Sequence, residues 1–492
     1  MGTDEHAWSR DERGVVGRPV TLGVCAVLGI VVGAFSYLNR GYELDDALIY
    51  YRYIRNCLSG HGLVYNVGEY FNALTSPLHV YVSLAACGLF GQVGGTMIVL
   101  SAVLTSTMAI LLFIVYTRVE TRWPLILAGA MLIAVSRYFY SVYGMETPLF
   151  LALCAAALLL YERRSTFALG IVGALLMLTR GEGIFLLAAI VAVRIARGRP
   201  LPRLRELIVP AALLGGCVAF NLAYYGSVLP HTLLAKTAQG RSGLWGGRWL
   251  FLDLGYHTQF FAWSRTLVVV SVGLALLGAV RLGRRDVNVV VLTFLALLAV
   301  FYIAINVPNY HWYYAPFYAF GCMYVGLGLA AVSDRIAATP FPGSRFVARL
   351  VPAVAAVGIL GWNAQATATH PVSDDVWQRN YEAAGKWIEA NTPAEATIAM
   401  VEVGIVGYHS NRRVVDILGL VTPGNAELLG ERRFDEWLLR ADPDFILVHR
   451  PLTSQERGVI AAVRAGRYRP SRAFDHPSLA LLERVDGRSP GR

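Results

Sequence analysis

What most constrains this chain is the alternation of long apolar runs with short loops whose charge is almost all arginine. Val20–Leu38 is the first such run, and Thr96–Tyr116, Pro124–Tyr140, Leu207–Tyr225, Val289–Asn306 and Ala315–Val332 follow. A helix needs roughly 20 apolar residues to cross the hydrocarbon of a bilayer, fewer where the bilayer thins. Composition points the same way: 55% of the residues are hydrophobic and 15% charged, where an ordinary soluble domain carries about 25% charged residues. The expected fold class is mostly α, a polytopic transmembrane helical bundle of about eleven spans with a small C-terminal extracytoplasmic α/β domain.

The loop charges set the orientation. Arg10, Arg13 and Arg18 precede the first run, so residues 1–19 read as a cytoplasmic tail and Val20–Leu38 as a retained span. Residues 20–364 form the membrane domain, with 39–76 as its first extracytoplasmic loop, and 365–492 form the extracytoplasmic domain. The basic loops at 118–122, 163–164, 197–205, 281–285 and 335–349 then fall on one side. Pro77–Gly91 reads as a re-entrant or interfacial helix, because a crossing there would invert every later loop. Leu149–Tyr161, Phe167–Leu178 and Ile184–Ile195 hold only ~12–15 apolar residues each, short for a span. The net charge of +10 follows from the cytoplasmic loops and implies no nucleic-acid partner. Six cysteines in apolar runs or without an evident partner make neither a disulfide framework nor a zinc site.

Beyond Gln365 the pattern changes. Trp377, Tyr381, Ala384 and Ile388 recur at helical spacing over Asp375–Ala390. Thr397–Val401, Val414–Ile417, Phe445–Val448 and Leu479–Leu482 read as short buried strands, and Gln455–Ala465 as a further helix.

The residues able to do chemistry collect in the outward loops. Asp45 and Asp46 are adjacent carboxylates at a membrane exit, where acids are costly unless they face water, pair with cations or react. Arg52, His61, Asn66, Glu146, Arg180, Glu182, His231, Lys236 and His311 share that side. Lys236 is one of only two lysines in the chain, and its neighbour is the His231 loop; it reads as a phosphate contact rather than a snorkelling side chain. Arg180 and Glu182 read equally as an ion pair capping two short helices, and the tyrosines at 310–318 as an aromatic belt. Asp45 and Asp46 diverge in a helix or a strand, so they do not share one role. Asp45 is the favoured base and Asp46 the helix cap, although either carboxylate can turn inward. No Gly-rich phosphate loop is present.

Together these residues resemble a known pattern. Asp45-Asp46-Ala47-Leu48-Ile49-Tyr50-Tyr51-Arg52-Tyr53, with Gly60-His61-Gly62-Leu63-Val64-Tyr65-Asn66 after it, is similar to the first-loop signature of a branch of the GT-C glycosyltransferases, among them the mycobacterial terminal β-arabinofuranosyltransferases. Gly144-Met145-Glu146-Thr147-Pro148, Arg180-Gly181-Glu182-Gly183, Tyr224-Tyr225-Gly226-Ser227-Val228-Leu229-Pro230-His231-Thr232, and Val403–Tyr408 with Asp416–Leu420 resemble later loops of that family in the same order. Two departures stand out. Arg180-Gly181-Glu182 replaces the usual Arg-Pro-Glu, and Tyr70–Thr75 replaces a Glu-Gly-Tyr-Thr run.

The resemblance implies a GT-C-like, inverting transferase in the cytoplasmic membrane that takes a sugar, arabinofuranose in those relatives, from a polyprenyl-phosphate donor. The acceptor would be a cell-envelope glycan or glycolipid on the extracytoplasmic face. Asp45 or Asp46 would be catalytic. Arg52, Arg180, His231 and Lys236 would hold the lipid phosphate, and His61, Asn66, Glu146, Glu182 and His311 would contact substrate. No cofactor is required for a single phosphate, though Asp45 and Asp46 could hold Mg²⁺, Mn²⁺ or Ca²⁺. The rival reading is a transporter or flippase of a lipid-linked glycan; it calls for ionisable groups inside the spans and repeated halves. A non-catalytic polymer-binding protein would need the aromatics but not the carboxylates.

Overall fold

The computed structural model describes residues 16–247, 249–254 and 265–485, so most of the expected N-terminal tail and the last seven residues lie outside the described residues. Six described helices are long and apolar enough to cross a membrane: Arg18–Leu38, Val93–Thr117, Leu204–Tyr225, Asp286–Ile305, His311–Ala337 and Ser344–Thr369. Pro77–Phe90, Trp123–Val135, Thr147–Glu162, Thr166–Thr179, Gly183–Ala196 and Thr266–Leu282 are shorter apolar helices. The protein is thus a multi-pass membrane bundle. Pro19, Pro77, Pro124, Pro148 and Pro316 all stand in first turns, where a missing N–H costs nothing. Glycine lets two helices touch by backbone: a Cβ on Gly328 would lie 2.0 Å from the carbonyl oxygen of Leu274, and one on Gly278 would lie 2.1 Å from that of Tyr324. Close approach through small residues is how membrane helices gain packing energy without a hydrophobic driving force.

One expected span is interrupted. The Pro124–Tyr140 run stops at Val135, passes through extended Ser136 and restarts as a single turn, Arg137–Tyr140. A guanidinium inside hydrocarbon is expensive, and the break carries Arg137 to the polar end of the bundle.

The basic loops come together at the opposite end. Arg281 bridges Glu120 and Asp334, Arg122 pairs with Asp334, and Arg197 and Arg199 share Asp286.

The C-terminal region is a mixed sheet of five strands, β1 (Thr397–Met400), β2 (Arg413–Asp416), β3 (Phe445–His449), β4 (Tyr468–Pro470) and β5 (Leu479–Arg484), in the order β2-β1-β3-β5-β4. β1 runs parallel to β2 and β3, and β5 is antiparallel to β3 and β4. Four of the five match the expected strands within a residue or two; β4, short and carrying exposed Arg469 and Pro470, has no buried run to betray it. The helix Val376–Asn391 is capped by Asp375, whose carboxylate accepts from the backbone N–H groups of Trp377 and Gln378. The expected helix Gln455–Ala465 is a turn at Ser454–Glu456 followed by a helix at Val459–Arg464.

The first loop joins bundle to sheet. Its helix begins at Asp45 and runs to Leu58, and nine of its fourteen residues are buried because it is covered on both sides. Arg52 donates to the carbonyls of Tyr65, Gly407 and Arg412 and to Asn66, and Arg55 donates to the carbonyl of Tyr408. Asn66 brackets Val414, giving its amide to the carbonyl and receiving the N–H.

Candidate active site

A cavity of about 430 Å³ lies where the first loop, the 232–242 helix, the 310–312 segment and the C-terminal domain meet. Asp45, Asp46, Arg137, Lys236, His311 and Glu402 are among its walls. Sites between domains are a usual location for ligands, since neither surface needs to be pierced.

Asp45 and Asp46 occupy the first turn of helix Asp45–Leu58, whose cap is Leu44 and not a carboxylate. The expected capping role of Asp46 is therefore not found. Its Oδ2 lies 3.4 Å from Nζ of Lys236, whose ammonium sits 4.2 Å from the Tyr310 ring centroid and 5.6 Å from that of Trp312. Burial pulls the Lys236 ammonium down, but Asp46, Tyr313 and Asp416 together outweigh it and the pKa is raised. Asp45 points toward the C-terminal domain, where Oδ1 accepts from the Ile405 N–H at 2.6 Å and Oδ2 from the Gly404 N–H at 3.1 Å. Glycine is needed at 404: a Cβ there would lie 1.7 Å from the Asp45 carbonyl oxygen. Burial pushes Asp45 up to about 7, aided by neighbouring Asp46 and opposed by the two amides. A carboxylate that changes charge near neutrality, held in one orientation, suits proton transfer.

The C-terminal wall carries residues the sequence reading did not single out. Glu402 faces the same cavity; burial, then the charges of Asp45 and Asp46, raise its pKa. Tyr381 and His449 stand beside it, with Glu456 behind. Asp416 folds the loop at the cavity floor by accepting the backbone N–H groups of Leu418, Leu420 and Val421. Arg137 is a further cation in the wall, hidden in sequence by the apolar run that precedes it.

Several expected site residues are elsewhere. Arg52 and Asn66 are buried in the contacts that dock the C-terminal domain and do not line the cavity. Four of the five N–H groups of the Arg52 guanidinium go to protein acceptors, and the group does not reach the cavity wall. His61 is exposed and outside the cavity. The His231 ring stacks on Phe71 at 4.3 Å, and its Nδ1 lies 3.4 Å from the Asn72 carbonyl, also outside. Arg180 is held by two acids, Glu146 at 2.7 Å and Glu182 at 2.8 Å, with Tyr302 and Tyr50 completing the network. None of these residues lines the cavity, and the ion pair of Arg180 with Glu182 is found. His311 is buried at the cavity wall, its Nε2 3.2 Å from the Ser141 carbonyl.

A shared metal does not suit the two aspartates. Each Asp45 oxygen accepts a backbone N–H and Asp46 turns to an ammonium, so the two carboxylates are engaged with different partners. Among the described residues no group of three or more His, Cys, Asp or Glu side chains is placed to hold an ion.

Next to the polar cavity runs a second, larger one of about 950 Å³ between helices Arg18–Leu38 and Val93–Thr117. Gly29, Gly33, Gly94 and Gly95 keep it open, Ile98, Val99 and Val103 make it apolar, and Tyr42 and Glu43 belong to both cavities.

The fold is shared with a membrane protein of known structure. Over 97% of this chain and 100% of the other, it matches ArnT from Cupriavidus metallidurans bound to undecaprenyl phosphate, with a TM-score of 0.60 at 12% identity. The apo form of that protein matches with a TM-score of 0.56 over 94% of this chain. In sequence the chain is a distant homologue of the terminal β-(1→2)-arabinofuranosyltransferase of Mycobacterium tuberculosis, 29% identical over 294 residues. That alignment takes in 53% of this chain and 45% of the mycobacterial protein, so the chain spans under half of its relative's length. Residues 373–486 match a domain of unknown function, DUF8728.

Proposed function

We propose that the protein is a glycosyltransferase of the GT-C type that moves a sugar from a polyprenyl-phosphate donor to a glycan or glycolipid acceptor on the extracytoplasmic face of the cytoplasmic membrane. One observation carries this reading: a polar cavity with a cation and a near-neutral carboxylate adjoins an apolar groove between two membrane helices. A molecule with a long apolar chain and a phosphate-linked sugar has that same division. The undecaprenyl phosphate held by ArnT and the activity of the mycobacterial relative favour such a donor, with arabinofuranose as the sugar.

In this mechanism Asp45 takes the proton of the acceptor hydroxyl as its oxygen attacks the anomeric carbon. The bond from that carbon to the phosphate oxygen breaks, and its electron pair leaves on the lipid phosphate. One displacement inverts the anomeric centre. Lys236, with Arg137 in the same wall, meets the charge that grows on the departing phosphate. Asp46 keeps Lys236 in place between turnovers. Because two cations can answer a single phosphate, no metal step is required, and activity is expected to survive EDTA.

The test is incubation of the purified protein with a panel of polyprenyl-phosphate sugars, reading release of lipid phosphate. Release from one donor that is lost in Asp45→Asn supports the reading. Failure to release lipid phosphate from any donor, with transbilayer movement of a lipid-linked glycan in vesicles instead, would establish the flippase alternative.

A further inference from the structure

The C-terminal wall of the cavity is built differently from the membrane wall. Glu456 is 1% exposed, and its Oε1 accepts from Nδ1 of His449 at 2.8 Å and from the His449 backbone N–H at 3.0 Å. Its other oxygen takes the N–H and hydroxyl of Thr453. The buried carboxylate therefore fixes the imidazole plane and tautomer, leaving Nε2 toward the cavity. There Nε2 meets the Tyr381 hydroxyl at 2.8 Å and Oε1 of Glu402 at 3.8 Å. Three donor–acceptor groups are thus held in one small arc by a fourth that never sees the cavity.

Beside them Trp377 lines the same cavity, 49% exposed, its ring 5.9 Å from Tyr381 and 6.1 Å from His449. An indole left half in water next to a fixed polar arc needs a reason, since large aromatics bury when nothing opposes it. Sugars offer the complementary surface: an apolar face of C–H groups that lies on an aromatic ring, and an edge of hydroxyls that donate and accept within one arc. This wall carries the titratable Asp45, Glu402 and His449, whereas Lys236 and Arg137 come from the bundle side of the cavity, where a phosphate is better met.

We propose that Trp377, Tyr381, Glu402 and His449, with Glu456 as a positioning residue, form the subsite for the carbohydrate acceptor, so that the C-terminal domain supplies acceptor recognition while the bundle supplies the donor. This rests on the transferase reading for the word acceptor, but the sugar subsite itself can be measured without turnover. The experiment titrates the full chain in detergent with octyl glycosides of pentofuranoses and hexopyranoses, following tryptophan fluorescence. A parallel titration uses a short-chain polyprenyl phosphate, and octanol controls for the aglycone.

Saturable binding of at least one glycoside, weakened about 10-fold by Trp377→Ala and by Tyr381→Phe with polyprenyl-phosphate affinity unchanged, is the expected result. Both substitutions touch cavity-facing side chains, so they keep the test alive if Glu456→Gln fails to fold. If Glu456→Gln folds, glycoside affinity should fall as in Tyr381→Phe, and His449→Gln should not weaken it further. Glycoside binding equal to that of octanol, or loss of phosphate affinity in Trp377→Ala, would overturn the subsite. Glycoside binding without any polyprenyl-phosphate binding would leave the subsite standing and remove the donor reading instead.

Discussion

Two clusters of opposite charges sit on either side of the 310–314 segment, and they come to different ends. Arg180, whose guanidinium lies 5.5 Å from the Tyr313 ring, is closed in by Glu146 and Glu182. Lys236, against Tyr310 and Trp312, has Asp46 alone among the described carboxylates in ion-pair range, at 3.4 Å, and faces the cavity. Both clusters set a cation against acid and aromatic side chains. The difference is how fully the protein's own groups answer each charge. A guanidinium with two carboxylates is satisfied and immobile; an ammonium with one long contact and two ring faces can exchange that contact for a ligand's oxygen.

The largest expected effect follows from the Arg180 cluster. Arg180→Met strands the buried Glu146 and the part-buried Glu182, and removing one partner of a buried ion network costs about 3–5 kcal/mol. Thermal unfolding in detergent should show a clear loss of stability, whatever happens to activity. Normal stability combined with impaired donor use would make Arg180 a ligand contact and erase the contrast.

Asp45→Asn comes next. The amide keeps the shape and one acceptor for the Gly404–Ile405 amides but cannot take a proton. Turnover should fall at least ~10²-fold while polyprenyl-phosphate binding is retained. If turnover persists and Asp46→Asn is inactive, the base is the neighbour.

Lys236→Met is the counterpart to the Arg180 substitution. It should leave the unfolding temperature near wild type and reduce donor use about 10–100-fold, the scale of one charge-assisted contact of ~1.5–3 kcal/mol. Stability lost together with activity would mean that the open cluster is structural after all.

The same contrast marks where sequence reading stops. Apolar runs and arginine loops place nearly every membrane helix, because hydropathy acts along the chain. Asp45, Asp46 and Lys236, which line the cavity, are legible as candidates because rarity or an acidic pair at a membrane exit is itself a signal. Whether a charge is already satisfied depends on partners far away in sequence. Arg52 is consumed by carbonyls at 407 and 412, and Arg180 by Glu146, neither pairing having a spacing rule. Glu402 and His449 escape notice for the same reason: their domain meets Asp45 across 359 residues of chain. Arg137 is missed because an apolar run carries no mark of where its helix stops.

The smallest effect is the finest test of how the two aspartates are coupled. With Asp45 pushed up to about 7 chiefly by burial and secondarily by Asp46, kcat/KM should rise with pH and level off above about 7, since only the ionised carboxylate accepts a proton. Stability has the opposite sign: the native state holds the Asp45 proton more tightly than the unfolded chain, so this contribution is complete below about 4 and is lost as pH rises through about 7. Asp46→Asn removes a like charge beside Asp45 and leaves the Lys236 ammonium uncompensated, and both changes favour the ionised form. The rising limb should therefore move to lower pH, by about half a unit or less because burial, the larger cause, is untouched. A limb that stays in place would mean that Asp46 does not act on the group that titrates, and the assignment of that group to Asp45 would fail with it.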